Sequence, residues 1–407
     1  MTKAPPVVQP WMDEAATRQV LQAFAAEGVE ARFVGGAVRD ALLGLQVGDI
    51  DLATPAAPQD VMDLLQKKGI KVVPTGLSHG TITAVVPPRH FEITTLRRDV
   101  ETFGRHARVA FDADWAADAA RRDFTMNAIF LSAEGRIFDP VGGLADLRKG
   151  RVRFVGDARK RIAEDVLRLL RYYRFEAWFG RGSGDEEARA ACRAAKDLLP
   201  RLSAERVAQE LLKLLAARGP LAALEMMQRD GVLAVLLPEA KELRRLKRLL
   251  SIEPECDPLL RLAALVEVDG EGANALGRRL RFSNRQRDRL YGLAPPYPLD
   301  PQGGEREQKH ALYRLGGKRF RDLALLLAAA EKLDEKRLAE LLALERRWAP
   351  PRFPLAGRDV RALGLPPGRR IGELLAAVKA WWEEGDFAAD RARCLLRLKE
   401  LLAAENA

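Results

Sequence analysis

The hydrophobic pattern of this chain changes period once, near Asp157, and that change constrains the fold more than any other feature. Before it, the short apolar runs ARFVGG, DIDLAT, KVVPTG, TITAVVPP and FEITTL are rich in Val, Ile and Thr and bounded by Gly or Pro, which predicts strands. A helix is predicted from Met12 to Glu27, and helical spacing recurs around Val38–Gly44 and Gln59–Lys68. After it, Leu and Ala recur every three or four residues, as in AERVAQELLKLLAA, RDLALLLAAAEKL and RARCLLRLKELLAA, which predicts helices almost without a break. Gly and Pro clusters at 294–304 and 348–358 punctuate those helices. The fold class is therefore α+β, a small mixed-sheet head followed by an elongated all-α neck, body and tail. The expected boundaries are 1–155 for the head, 156–215 for the neck, 216–347 for the body and 348–407 for the tail.

A length of 407 residues exceeds what one compact domain usually holds. The chain carries 67 Lys+Arg against 57 Asp+Glu, a formal charge of +10, and 51 of the basic residues are Arg. Arg grips phosphate with a planar fork, so the balance favours a polyanionic partner, although an Arg-biased genome would raise the same count. Hydrophobic content of 47% with 30% charged residues excludes a disordered chain. No apolar run is long enough to span a membrane, and the opening MTKAPPVVQPWMDEAA lacks the apolar core of a signal peptide. Cys192, Cys256 and Cys394 are far apart and odd in number, with neither disulfide nor metal-ligand spacing. These features together predict a cytoplasmic protein with free thiols.

Chemistry concentrates in FVGGAVRDALLG and the GDIDLAT that follows it. Asp49 and Asp51 are two apart on a predicted strand, so both carboxylates face one side. Two hard oxygen ligands near a Gly-rich turn can hold Mg²⁺ ions that share a nucleoside triphosphate. Gly35 and Gly36 let backbone N–H groups approach phosphate, and Arg39 follows about a turn into the next helix, where it could clamp the phosphate tail. There is neither a G-K-[ST] loop nor a G-x-G-x-x-G fingerprint.

FVGGAVRD with DIDLAT resembles the head of the class II CCA tRNA nucleotidyltransferase and bacterial poly(A) polymerase family, within the DNA polymerase β superfamily. EITTLRRDVETFGRHARVAF is similar to the family's flexible loop, and ARRDFTMNAI with DPVGGLADLRKG to its RRD motif. EDVLRLLRYYRF is similar to its base-reading helix, and RLSAERVAQELLKLL extends the likeness to residue 215. The resemblance implies that Gly36, Arg39, Arg122, Arg171 and Arg174 meet the nucleotide, mostly at its triphosphate. It implies that Asp123 helps read the ribose and that Glu164 orients the base-reading pair Asp165 and Arg168. It implies Mg²⁺ at Asp49 and Asp51, CTP and ATP as substrates, and the tRNA 3′ end as acceptor.

The spacing of Asp165 and Arg168 predicts one face of a helix, with an acceptor beside a donor. Cytosine and adenine each present an amino donor beside a ring-nitrogen acceptor, so one protein edge suits both. Uracil and guanine place a carbonyl where the amino group should be, a mismatch that a desolvated site rejects. Elsewhere the same spacing would be an ordinary ion pair on a solvated helix. Asp123 could equally cap a local turn, and Thr125 and Asn127 read as scaffold. Glu92 in F-E-I is the candidate third carboxylate, or a solvent-facing strand residue.

Arg97, Arg98, Asp99, Glu101, Arg105 and His106 are all present in the loop that partial C-adding relatives lack, which implies addition of the full C-C-A. His106 reads as a loop contact rather than a general base, since a metal-activated hydroxyl needs little help. His79, His90 and His310 form no H-D or H-x-x-H pair. Between Arg148 and Gly180 ten Lys/Arg face four acidic residues, which suits contact with the backbone of an RNA duplex. Trp381 and Trp382 read as core of the last unit. The expected activity is template-independent addition of C, C and A to tRNA by two-metal in-line attack of the 3′-OH on the α-phosphorus, with release of pyrophosphate. A poly(A) polymerase is the rival, against which stand the Ala-Ile ending of RRDFTMNAI and the lack of a long basic C-terminal extension. A CC-only or A-only adder, and a silent RNA-binding relative, remain further alternatives, and monomer and dimer are equally open.

Overall fold

The alternation written into the first hundred residues becomes five strands of a seven-stranded sheet. The computed structural model describes residues 7–77, 80–103, 106–111, 114–182 and 184–405, with the backbone alone for 98–103, 106–111 and 405. The strands are β1 (Arg32–Val34), β2 (Ile50–Thr54), β3 (Lys71–Gly76), β4 (Thr81–Val86), β5 (Arg89–Thr95), β6 (Arg97–Phe103), β7 (His106–Phe111), β8 (Phe130–Ser132) and β9 (Ile137–Phe138). Seven of them order as β3-β4-β5-β2-β1-β8-β9, antiparallel throughout except for β2 beside β5. In β4 every second residue is buried, Ile82, Ala84 and Val86, as expected of strands with one covered face.

Two compact units emerge, Met1–Lys241 and Glu242–Ala407. The helices of the first are α1 (Ala15–Ala26), α2 (Gly36–Leu42), α3 (Pro58–Lys67), α4 (Trp115–Ala120), α5 (Gly143–Lys149), α6 (Ala158–Glu164), α7 (Leu167–Phe179), α8 (Glu186–Ala195), α9 (Ala204–Leu215), α10 (Pro220–Arg229) and α11 (Val232–Leu236). α3 packs on β3 and β4, and α1 packs on α3, burying Val20, Phe24, Val61 and Leu65. α7 packs on α9, whose Val207, Leu211 and Leu214 form the buried stripe. Each such leucine contributes about 1.5–3 kcal/mol on burial, which fixes the rotation of α9 and hence the aim of its polar face.

Two expectations change. The E-D-x-x-R segment does not lie on one helix: α6 ends at Glu164, Asp165 is extended (φ −150°, ψ 107°), and α7 begins at Leu167. Asp165 Oδ1 accepts the Leu167 amide at 3.2 Å, and such local bonding is why Asp leaves helices readily. The segment expected as a loop from Arg97 to Arg108 is instead a β6–β7 ribbon, paired from Arg97↔Phe111 to Phe103↔His106 with a bulge between Asp99 and Glu101. Its dense charges hide the two-residue period. Arg105 and His79 lie outside the described residues, as do the side chains of Arg98, Asp99, Glu101 and His106.

The second unit is helical, from α12 (Arg244–Ile252) and α13 (Pro258–Leu265) onward. Its last part packs Leu355, Val360, Leu374, Val378 and Leu398 around Trp382, whose Nε1 donates to the Ala389 carbonyl at 2.9 Å, with Trp381 packed against the cluster. Trp382 is core, as expected, while Trp381 is only partly buried and packs against that core. No helix among the described residues is long and apolar enough to cross a membrane.

Asp257 caps α13 by accepting from the Leu259 and Leu260 amides, and its carboxylate pairs with Arg289 (2.6 Å) and Lys318 (2.9 Å). Burial alone would raise its pKa, but hydrogen bonds from Arg289 and Lys318 and the Arg289 charge bring it down to about 2. A folded value below the unfolded one means stability that is present above pH ~4 and lost as pH falls from ~4 to ~2. Asp257 should account for a loss on the order of 1–2 kcal/mol across that window, read as the difference between denaturant melts of the wild type and Asp257→Asn. Asp257→Asn should be weaker at neutral pH and should lack this acid-side loss.

Candidate functional site

Strand parity decides where the carboxylates point. Ile50 and Leu52 of β2 enter the core, so Asp51 between them faces the open side of the sheet. β5 runs parallel to β2 with Glu92 in register beside Asp51, so the third carboxylate expected from F-E-I is the neighbour of Asp51 on the open face. Asp49 is exposed and sits in a bend one residue ahead of β2, so the two aspartates do not share the strand as expected.

Burial pushes the Asp51 carboxyl up, the negative charges of Glu92 and Asp49 add to that, and Arg122 and Arg39 oppose it, leaving it at about 6. Acidic neighbours that raise a buried carboxyl in this way mark a place where a cation would be stabilised. Gly35, at φ +73°, closes over it, and a Cβ there would stand 3.3 Å from Asp51 Oδ2. The donors are all hard oxygens, which fits Mg²⁺. Among the described residues no three His, Cys, Asp or Glu side chains gather closely enough to hold a metal ion by themselves. A cation at Asp49 and Asp51 would therefore complete its shell with substrate oxygens and water.

Asp51 lies in the wall of a cleft of about 470 Å³, a size suited to a nucleotide. Seven arginines and three aspartates line it, with Gly35, Gly36, Asn127, Leu167 and Phe175. Such an excess of fixed guanidinium charge in a concave site attracts a polyanion.

Each arginine has a specific tether. Arg39 donates to Asn127 Oδ1 at 2.8 Å and lies 4.2 Å from the Phe179 ring centroid. Arg121 and Arg122 both bond the buried Asp118, at 2.5 Å and 2.8 Å. Burial draws the Arg121 guanidinium down to about 10, and the Asp118 charge is the largest influence opposing it. Asp123 accepts from Asn127, from the Phe124 amide and from Arg171. Burial would raise its pKa, but the Arg171 charge and those hydrogen bonds hold it at about 2. Asp123 thus bonds its neighbours at the turn while lining the cleft wall. Glu210 of α9 bonds Arg174 at 2.6 Å and approaches Arg171 at 3.9 Å. Arg39, Arg171 and Arg174 surround the Phe175 ring, 5.3, 5.6 and 4.5 Å from its centroid.

At the E-D-x-x-R segment the partners differ from expectation. Arg168 bonds Glu164 at 2.5 Å and the carbonyls of Arg161 and Arg121, so Glu164 stands behind Arg168 rather than in the cleft wall. Asp165 bonds Arg206 of α9 through both oxygens, at 3.2 and 2.6 Å. Asp165 and Arg168 both line the cleft, each held by a different partner.

The sequence reading missed Asp118, Phe175, Arg206 and Glu210. Asp118 precedes Arg121 and Arg122 by three and four residues, a helical spacing that could have exposed it. Arg206 and Glu210 are also four apart, but only the packing of α9 on α7 tells what they face. Thr125 is scaffold, bonded to Asp146 at 2.7 Å, while Asn127 joins the wall.

Residues 31–153 match the poly A polymerase head domain, and residues 185–243 match the probable RNA and SrmB-binding site of polymerase A. The mitochondrial CCA tRNA nucleotidyltransferase 1 of Mus musculus is 34% identical over 414 residues, 94% of this chain and 89% of the mouse protein. The solved structure of the Bacillus stearothermophilus CCA-adding enzyme in complex with CTP superposes with a TM-score of 0.76 at 30% identity, covering 98% of this chain and 99% of that one. A tRNA nucleotidyltransferase complexed with a primer tRNA and an incoming ATP analog superposes at 0.65 with 25% identity, covering 80% and 98%.

Proposed function

Because this chain belongs to the class II CCA tRNA nucleotidyltransferase and bacterial poly(A) polymerase family, we propose how its cleft divides the labour of adding C, C and A to tRNA. The protein is a nucleotidyltransferase that uses CTP and ATP and the tRNA 3′ end. Its family works with a divalent metal; we assign Mg²⁺, held by Asp49 and Asp51 with Glu92 beside them. When bound, the metal supplies Lewis acidity to the 3′-hydroxyl and counter-charge to the triphosphate. Arg39, Arg122, Arg171 and Arg174 take the triphosphate oxygens, and Gly36 lets the backbone approach them. Asp123 holds Arg171 and reads the ribose. Asp165 accepts from the exocyclic amine of C or A while Arg168 donates to the adjacent ring nitrogen, and Glu164 keeps Arg168 in place. The 3′-oxygen then bonds to the α-phosphorus as pyrophosphate leaves.

The observation that supports this most is that one cleft collects Asp51, the phosphate-gripping arginines, and both Asp165 and Arg168. Head, neck, body and tail at 1–155, 156–215, 216–347 and 348–407 are our functional division, with the two later parts taking the RNA. The three cysteines are free among the described residues, which agrees with a cytoplasmic location.

Extension of a tRNA ending at its discriminator base, resolved nucleotide by nucleotide, tests the reading. C-C-A with both substrates and C-C with CTP alone are the expected products. Arrest at C-C with both substrates would demote the protein to a partial adder, and long A tails would make it a poly(A) polymerase.

A further inference from the structure

Outside its helices Asp165 has no secondary structure to fix its side chain, yet the base edge it is assigned to read demands one orientation. Its backbone is extended, and a single amide, that of Leu167, donates to Oδ1. What immobilises the carboxylate is the Arg206 fork, with Nη1 on Oδ1 at 3.2 Å and Nη2 on Oδ2 at 2.6 Å. Both side chains are only partly exposed, 29% and 21%, so the pair is not a freely solvated one. A two-point contact of this kind fixes the carboxylate plane as well as its position.

The Arg168 side chain is held by Glu164 and two carbonyls, one of which (Arg161) also accepts the Asp165 amide, but it does not touch the Arg206 fork that holds the Asp165 carboxylate. Acceptor and donor of the reading edge therefore rest on different elements. One turn further along α9, Glu210 tethers Arg174. The polar face of α9 thus supports the base-reading end of the cleft through Arg206 and the arginine-rich end through Glu210.

We propose that Arg206 is a specificity-determining positioning residue, whose fork holds the Asp165 carboxylate as an aimed acceptor so that C and A are taken and U and G refused. This rests on the assignment of Asp165 to the base. With the fork in place, Oδ1 is filled by Arg206 and the Leu167 amide, and Oδ2, which Arg206 engages once, keeps the lone pair left for a base. A carbonyl of uracil or guanine then meets an acceptor that cannot turn aside. Without the fork, Asp165 rotates away or admits a bridging water, and the penalty against a carbonyl falls.

The test compares single-nucleotide addition to a tRNA lacking C-C-A, with CTP or UTP, by the wild type, Arg206→Gln and Arg206→Lys. Wild-type addition of C, C and A is scored first; its absence would sink the functional reading itself, separately from this proposal. The expected result for Arg206→Gln is a fall on the order of tenfold in the CTP-to-UTP ratio of kcat/KM, the size of one charged hydrogen bond. The loss should reside mainly in KM for CTP and in gained UTP use. Arg206→Lys keeps the charge without the fork and should recover part of the ratio. Thermal melts identify a variant that fails to fold, in which case the Lys variant carries the comparison. If kcat/KM falls equally for CTP and UTP, or the ratio is unchanged in both variants, Arg206 merely braces the fold and the proposal is overturned.

Discussion

Asp51→Asn should reduce addition of both C and A by at least about a thousandfold while tRNA binding stays at the wild-type level. The substitution keeps the shape of the side chain and removes the charge that β2 parity aims at the open face. Loss of a metal-holding carboxylate removes several kcal/mol of transition-state charge stabilisation, and each 1.36 kcal/mol is a factor of ten in rate. In our reading tRNA binding has no such dependence, because cationic contacts with phosphate are spread over many side chains. Single-turnover addition of CTP beside filter binding of tRNA separates the two. Near wild-type turnover would remove Asp51, and with it the metal assignment.

The second large effect is expected from Asp118, which touches no substrate in our reading. Its side chain is 1% exposed and its two oxygens are divided between Arg121 and Arg122. Asp118→Asn leaves two close guanidiniums in the cleft wall without their shared counter-charge. Breaking one side of a buried ionic network costs about 3 kcal/mol. In a folding unit of this size that lowers Tm by roughly 6–12 °C. Arg122 also loses the tether that keeps it near Gly35 and Asp51, so KM for CTP should rise together with the loss of stability. Calorimetry and steady-state kinetics on the same preparation check both. A variant with unchanged Tm and KM would mean that the two arginines are held by other contacts.

Most of the fold was legible because its periods are strong. Five apolar runs became β1 to β5, and the helical segments expected before Asp157 became α1 to α3. The β6–β7 ribbon was read as a loop because six charged residues from Arg97 to Arg108 mask its alternation. β8 and β9 are three and two residues long, too short to show a period at all.

The chain alone specified the local chemistry of the site: Asp49 and Asp51 after a Gly-Gly turn, R-R-D, and E-D-x-x-R, each a short motif whose members are covalent near neighbours. Parity along a strand needs no partner, so the aim of Asp51 away from the core could be read directly. Only the tertiary structure could decide which distant groups complete those motifs. Glu92 stands beside Asp51 because β5 pairs with β2, 41 residues away along the chain. Arg206 takes Asp165, and Glu210 takes Arg174, because buried leucines turn α9 against α7. Such pairings depend on register and helix rotation, which are set by packing summed over a whole element. The spacing of Asp165 and Arg168 fits one helix face, but local bonding of the Asp165 carboxylate breaks the helix there and hands each residue to a different partner.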